Sequence, residues 1–420
     1  MTRNAIAVIG AGWGDEGKGL LTDTLADTAR QEGYRATVVR SNGGAQAGHT
    51  VVTPDGRRHI FHHVGAGSFA GAHTHLSRFF VAHPMMLIPE LTELHGLGID
   101  FAGEQGPRIS IDPAAPVTTP WDVMINQALE ITRAGGVDDG RHGSCGLGIG
   151  ETIEREENGY HLTAGNLLDG NLRDRLQHIR DTWMPERMRR LGIHFPDREF
   201  ASAAACRRLM QAFLDDCQAF TEIVALRPDA EIGAIADEEP VIFEGAQGLQ
   251  LDMDFGEFPH VTRSSTGLRN MLALARGMQI DGIDAHYLTR AYATRHGAGP
   301  LPHEATIKGW AKVIDRTNAP NEWQGNLRFA PLDPAALGDI VRRDIALAHD
   351  IPVRPKLAIT CLDQIGERSA IVHGDQVIDI EREMLAPEIA VLAGLAAGFR
   401  SYGPTRRDVC AGSIRITNAA

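Results

Sequence analysis

The chain has 420 residues, 43% of them hydrophobic and 23% charged, enough for a sizeable core and far from the profile of a disordered chain. Its 41 Lys and Arg against 54 Asp and Glu give a formal net charge of −13, which argues against a surface built to hold nucleic acid, so any phosphate has to be held locally by backbone amides and a few placed cations. Five cysteines without a Cys-x-x-Cys pair, and no apolar run long enough for a signal sequence or a membrane span, point to reduced thiols in a cytoplasm and no membrane partner.

In chain order, Ala5 to Ile9 reads as a buried strand that opens into glycines and then a helix over Lys18 to Gln31. A second strand at Ala36 to Arg40 completes a strand, loop, helix, strand unit and hence a parallel sheet. The Thr53-Pro-Asp-Gly56 turn between Val51-Val52 and His59-Ile-Phe61 predicts a hairpin. Buried strands are expected at Phe79 to Ala82, Arg108 to Ile111, Val241 to Glu244 and Leu357 to Leu362, and helices over Leu172 to Leu191 and Ala201 to Leu226. The expected fold class is α/β: a doubly wound, mostly parallel sheet with a P-loop-like nucleotide site, forming one domain over residues 1–420 with a helical insertion around 166–235. Ligands should gather at the carboxyl ends of the strands.

Gly12-Trp-Gly-Asp-Glu-Gly17-Lys18 has the Gly-x4-Gly-Lys spacing of a P-loop between a strand and a helix. Gly19 stands where a P-loop has the Ser or Thr that holds Mg²⁺, which leaves Asp15 as the candidate metal ligand. The same residues fit Gly12-x-Gly14-x-x-Gly17, the dinucleotide fingerprint. Two carboxylates in the turn, Asp15 and Glu16, would repel a pyrophosphate, which argues against an NAD-dependent oxidoreductase. A GTPase-like switch or non-catalytic GTP-binding protein is a second rival, and Gly19 removes the hydroxyl a switch needs. The histidines His59, His62, His63, His73, His75 and His83 invite a zinc reading, but no Cys, Asp or Glu accompanies them at ligand spacing.

The sequence resembles the adenylosuccinate synthetase family through several motifs in order. These are Gly14-Asp-Glu-Gly-Lys-Gly19, Asn42 to Thr50 ending Ala-Gly-His-Thr, Phe243-Glu-Gly-Ala-Gln-Gly248 followed by Leu251-Asp252 and Val261 to Ser265, Arg295 to Pro300, Leu362-Asp363, and Gly403-Pro404-Thr405-Arg406. The resemblance runs from about residue 5 to 408. It implies a GTP-dependent ligase that phosphorylates the 6-oxo group of a purine nucleoside monophosphate, by default inosinate, and displaces it with the nitrogen of an amino acid, by default L-aspartate. A paralogue using (d)GMP or another amino acid is the alternative, and the family suggests a homodimer.

Residue by residue, the resemblance makes Asp15 the general base and, with the Gly48 carbonyl, a Mg²⁺ ligand. Phosphorylation at O6 needs the N1 proton removed, which makes that role chemically reasonable. His49 would stabilise the charge developing on the transferred phosphoryl group, and Lys18 would offset triphosphate charge. Gly14, Glu16, Gly17, Gly19, Gly48, Thr50, Gly403 and Pro404 would surround the donor, with Asp363 reading guanine. Gln46, Ser144, Cys145, Gln247, Thr262 and Arg263 would hold the acceptor; Arg328 and Asn326 would hold the amino acid. Departures cluster around the acceptor and the amino acid. Gly143-Ser-Cys-Gly-Leu-Gly-Ile-Gly150 lacks the family's arginine, Gly159-Tyr160 stands near its later arginine pair, and Arg263 replaces a serine. Gln46 replaces an asparagine, Cys361 a lysine, and the aspartate loop is reduced to Asn321 to Arg328.

Overall fold

The computed structural model describes residues 3–101, 103, 106, 108–134, 146–195, 202, 207–235, 239–307, 309, 311–313 and 327–411. The main sheet is built from β1 (Asn4–Gly10), β2 (Thr37–Arg40), β5 (His73–Leu76), β6 (Ile109–Ile111), β7 (Ala225–Leu226), β8 (Val241–Gly248), β9 (Gly282–Arg290), β12 (Val353–Thr360), β15 (Ala396–Ser401) and β16 (Val409–Ala411). Two-stranded antiparallel pairs flank it: β3 (His49–Val52) with β4 (Arg58–Phe61), β10 (Ala293–Arg295) with β11 (Arg328–Ala330), and β13 (Arg368–His373) with β14 (Gln376–Glu381). The helices are α1 (Lys18–Gln31), α2 (Pro84–Gly96), α3 (Pro120–Ala134), α4 (Ile149–Glu157), α5 (Leu172–His178), α6 (Met184–Leu191), α7 (Arg207–Ile223), α8 (Asp229–Ile235), α9 (Leu268–Gly277), α10 (Pro334–Ile345) and α11 (Arg382–Ala393).

The sheet order is β16-β15-β12-β9-β1-β8-β2-β5-β6-β7, and every neighbouring pair is parallel except β15 with β16. This is the mostly parallel α/β sheet expected. β1 and the first half of β8 are buried on both faces, which is why they read as near-continuous apolar runs. β1 lies between β9 and β8, and its chain successor β2 lies beyond β8. The carboxyl ends of β2, β8, β1, β9 and β12 therefore stand side by side, and the loops leaving them meet at one place.

The helix over Lys18–Gln31 has the bounds expected. Leu172 to Leu191 is helical throughout, with a π turn at Ile179–Trp183 between α5 and α6. α7 buries Met210, Phe213, Cys217 and Phe220, spaced for one helical face. The expected helix to Leu226 stops at Ile223, because Ala225–Leu226 joins the sheet edge beside β6. Phe79 to Ala82 is not a strand: only isolated bridges from Val81 to Gly44 and from Ala82 to Val117 occur there. The strand of that region is β5, whose His-Thr-His-Leu sequence carries no apolar alternation. It stays buried because His75 Nε2 meets Asp229 at 2.8 Å and Nδ1 meets Ser110 Oγ at 3.0 Å.

The other histidines also serve the framework. His62 Nδ1 donates to Ala45 O (2.8 Å), His63 Nδ1 to Glu90 (3.2 Å), and His63 Nε2 accepts from His83 N (3.1 Å). Among the described residues no group of three or more His, Cys, Asp or Glu is arranged to hold a metal, and no helix is long and apolar enough to cross a membrane.

Candidate active site

The turn between β1 and α1 is built by three residues of left-handed backbone, Gly14 (φ 97°), Asp15 (φ 61°) and Gly17 (φ 88°). Glu16 turns its carboxylate inward. Oε1 accepts from Gly12 N (3.1 Å) and Gly14 N (2.8 Å), while Oε2 takes Lys18 Nζ at 2.8 Å. Two amides that a standard P-loop would aim at phosphate are thus satisfied internally, and the Lys18 ammonium, 4% exposed, is already paired. Two strand ends pin the turn from behind: Thr360 Oγ1 donates to Glu16 O (2.9 Å) and Arg290 Nε to Asp15 O (2.5 Å). The Asp15 carboxylate is left facing the open side, 30% exposed, with His296 Nε2 3.7 Å away.

That open side is a cavity of about 610 Å³. Gly14, Asp15, Lys18, Gln46, Gly48, His49, Gln247, Thr262 and Arg263 all line it, so residues from four separate motif segments share one space. Gln247, in left-handed backbone (φ 64°) at the end of β8, brings its side chain beside Gly14. The Gln46 Oε1 atom is buried and has no hydrogen-bond partner in the protein, and Gln46 lines the cavity.

His49 begins β3 and is 5% exposed. Its Nδ1 lies 2.7 Å from Glu244 Oε1, on the fully buried side chain of Glu244 in β8. Burial, helped by the Arg40 and Lys18 charges, outweighs Glu244 and lowers the imidazole to about 4, so the ring is neutral near pH 7. The proton then sits on Nδ1, donated to the carboxylate, and Nε2 is buried without a protein partner. Gly19 explains itself at the same place: a Cβ there would lie 2.8 Å from Thr50 O and 3.1 Å from the His49 carbonyl carbon. The hydroxyl of a standard P-loop is absent because the hairpin carrying His49 rests on the helix at that point.

The far wall is α4. Its N-cap Gly148 is left-handed (φ 76°), and Gly148, Ile149 and Gly150 line the cavity at the helix start, where exposed amides favour an anion. Glu151, Glu154 and Glu157 follow on one face. Arg187 bonds Glu151 (2.8 and 3.1 Å) and Glu154 (3.2 Å), and Arg263 bonds Glu154 and Glu157. Arg263 is therefore in the cavity wall with its charge already met. Ser144, Cys145 and Asn326 lie outside the described residues.

Several donor-side candidates sit elsewhere. Gly17 and Gly19 lie at the start of α1, Thr50 stands in β3 against Gly19, and Asp363, Gly403 and Pro404 occupy the loops after β12 and β15, tied together by Leu362 N to Ser401 O (3.1 Å). A bridge from Val52 to Thr405 and the ion pair Arg406–Asp23 (2.9 Å) bring this second loop against the hairpin and α1. Arg328 does not line the cavity. Its guanidinium is engaged by Glu304 and by the carbonyls of Gly297 (3.1 Å) and Gly299 (2.7 Å), so it braces the turn after β10.

Several site residues escape a reading of motifs alone: Glu244 behind His49, Arg290 and Thr360 behind the first turn, and Asp252, which takes Thr266 N (2.6 Å) and Oγ1 (3.2 Å) and so shapes the Thr262 loop. Glu244 and Asp252 sit inside the motifs, which was the available signal. For a metal, the donor set is hard oxygen: the Asp15 carboxylate and the Gly48 carbonyl at the cavity wall. This suits Mg²⁺ completed by phosphate oxygens and water.

The adenylosuccinate synthetase family profile matches residues 7–323. The chain belongs to the adenylosuccinate synthetase family. The adenylosuccinate synthetase of Xanthomonas campestris pv. campestris (strain B100) is 32% identical over 319 residues, 74% of this chain and 68% of that protein. In three dimensions the chain resembles fully ligated adenylosuccinate synthetase from Plasmodium falciparum, with TM-score 0.74, 17% identity, and 98% and 100% of the two chains covered. It also resembles cyanophage S-2L succinoaminodeoxyadenylate synthetase, described as bound to dGMP and to dATP as energy donor, with TM-score 0.61, 15% identity, and coverage of 98% and 96%. As a member of the adenylosuccinate synthetase family it is a ligase that forms C–N bonds. The profile stops at residue 323, short of Arg328, Asp363 and Gly403.

Proposed function

We propose that the chain uses GTP to join L-aspartate to C6 of inosinate through a 6-phosphoryl intermediate. The observation that carries this reading is Asp15, set in left-handed backbone so that its carboxylate faces the cavity that Gln46, His49, Gln247 and Thr262 also line. Asp15 removes the N1 proton, which makes O6 the nucleophile. His49, whose Nε2 has no protein partner while Nδ1 is held by Glu244, meets the transferred phosphoryl group; its ring, neutral in the free protein, donates there once the charge of bound phosphate draws a proton onto it. Gln247 holds the base edge, while Thr262, Gln46 and the start of α4 take the acceptor's phosphate. Asp15 and the Gly48 carbonyl would hold Mg²⁺, whose chemistry is to neutralise charge on phosphate oxygens. Thr50, Asp363, Gly403 and Pro404 form the donor's side, with Asp363 accepting guanine's N–H donors. Arg328 acts on the amino acid through the turn it braces. We also keep a homodimer as part of this reading, which sedimentation tests directly.

The test is a screen of GTP and ATP with inosinate, guanylate and deoxyguanylate and the twenty amino acids, read by phosphate release and product mass. Turnover of GTP, inosinate and aspartate to a C6-linked product supports the reading, whereas GTP binding without turnover under any combination would make the chain a nucleotide sensor. Asp15→Asn should abolish turnover and leave the melting temperature unchanged. Loss of only about 10²–10⁴-fold would indicate a base without a metal role, and activity near wild type would sink the mechanism.

A further inference from the structure

Of the three left-handed residues in the first turn, Asp15 alone carries a side chain. Gly14 and Gly17 adopt such angles freely because they lack a Cβ, whereas at Asp15 (φ 61°) the conformation is strained and persists only where the surroundings hold it. The holding contacts come from behind the turn. Arg290 Nε donates to Asp15 O at 2.5 Å, and Thr360 Oγ1 donates to Glu16 O at 2.9 Å. Arg290 and Thr360 face each other in the register of β9 on β12, so one rung of the sheet takes two successive carbonyls of the turn.

We propose that Arg290 is a positioning residue for phosphoryl transfer: its Nε–H, bound to the Asp15 carbonyl, keeps the Asp15 carboxylate turned to the cavity. The proposal rests on the reading of Asp15 as the base. Arg290 is buried and does not line the cavity, so any effect it has on the reaction passes through the turn. Its guanidinium lies 5.9 Å from the centre of the Tyr292 ring. Tyr292 is itself buried, and its hydroxyl donates to Gln364 Oε1 at 2.5 Å, so a fixed ring backs the arginine and leaves Nε directed at the turn. The contact is thus set by the ends of two neighbouring strands rather than by another loop.

Removing that donor has a defined consequence. The Asp15 carbonyl is released, and the residue relaxes toward the negative φ that L side chains prefer. Its Cα–Cβ bond swings with the backbone, and the carboxylate leaves its place 3.7 Å from His296 Nε2. Glu16 stays anchored through Gly12 N, Gly14 N and Lys18, and Thr360 still holds its carbonyl. The rest of the turn therefore keeps its shape, and what is lost is the direction of the base.

The experiment compares Arg290→Met with Arg290→Gln, and runs Asp15→Asn in parallel. Both Arg290 variants lack the charge, but the side-chain atom standing where Arg has Nε is a methyl carbon in Met and an N–H donor in Gln. The readouts are thermal melts and steady-state kinetics with the substrates that the wild-type chain turns over. Arg290→Met should lower kcat by about ten- to a hundredfold, as for a reacting group misplaced by about 1 Å, with KM for both nucleotides within about threefold. Arg290→Gln should keep kcat within about threefold of wild type, because the donor is retained. Equal losses in the two folded variants would show that the charge matters and not the donor, and would overturn the proposal, as would wild-type kcat in Arg290→Met. If Arg290→Met does not fold, Arg290→Gln decides alone: near-wild-type kcat supports the proposal, and loss of kcat or of the fold overturns it. Activity near wild type in Asp15→Asn would instead sink the reading of Asp15 as the base. An inactive Asp15→Asn beside a fully active Arg290→Met would remove the positioning role alone.

Discussion

Glu151, Glu154 and Glu157 recur every third residue along α4 and interleave with Arg187 and Arg263, and of these five charges Glu151, Arg187 and Arg263 line the cavity. An acceptor phosphate approaching Arg263 has to displace Glu154 and Glu157 from it, and a bidentate guanidinium cannot serve both at full strength. Arg263→Ala should therefore raise the acceptor KM only modestly, by about threefold. Glu154→Gln with Glu157→Gln should lower it, by freeing the cation. Steady-state kinetics with inosinate varied decides this, and a large loss in Arg263→Ala with no gain in the glutamine pair would show that the phosphate takes Arg263 outright. The sequence displays Arg263 as a substitution at a motif position. It does not display the carboxylates, which lie 106 and 109 residues away and reach Arg263 only because α4 and the loop after β8 line the same cavity. For the same reason Arg328, read as a ligand from its place before Leu332-Asp333, turns out to spend its donors on Glu304 and two carbonyls. Partner identity is a property of the fold, and spacing along the chain carries no trace of it.

Among the elements, α1 and the β3–β4 hairpin were the most legible, because local chemistry defines both: a left-handed glycine ahead of Lys18, and a Pro-Asp-Gly turn ending at Gly56 (φ 90°). β5 and β9 were not. Their histidines and Asp284 break the apolar run, and they become strands through neighbours far along the chain. What no local pattern could give is the contact between α1 and the hairpin, and Gly19 is where that contact is tightest. Gly19→Ser would restore the hydroxyl of a standard P-loop, yet its Cβ would press on backbone atoms of Thr50 and His49 that cannot swing aside. The expected outcome is a loss of about 1–3 kcal/mol in stability, the range for overpacking, together with a fall in kcat as His49 is pushed off Glu244. Denaturant melts and kinetics on the same preparation check it. A stable, faster Gly19→Ser enzyme would mean that the hairpin yields and that the missing hydroxyl had limited metal binding.

At the scale of the whole molecule, buried ionisable groups spread through separate parts of the core couple stability to pH in two opposing senses. His83, ahead of α2, and His286, in β9 against Phe399, are both lowered by burial from 6.5 to about 4. Between those values the unfolded chain binds protons that the fold refuses, so each contributes stability that is complete above about pH 6.5 and lost as pH falls toward 4. Asp344 acts the other way. Burial between α10 and α9, where it takes Leu268 N (2.9 Å) and the Tyr287 hydroxyl (2.8 Å), raises it from 3.8 to about 7. Between those values the fold keeps a proton that the unfolded chain has released, so its contribution is complete below pH 3.8 and fades as pH rises through 7. The two senses overlap from about pH 4 to 6.5 and partly cancel, which is why a wild-type profile alone would hide both. His286→Phe, which keeps an aromatic ring against Phe399, should lessen the loss between pH 6.5 and 4. Asp344→Asn should lessen the loss between pH 4 and 7, because the amide has no proton to surrender. Each effect is on the order of a few kcal/mol at most, from about 1.4 kcal/mol per pH unit of displacement. Chemical denaturation across pH 4 to 8 for the three proteins separates them. Superimposable profiles would mean that water reaches these groups in the folded state and that their burial does not control their protons.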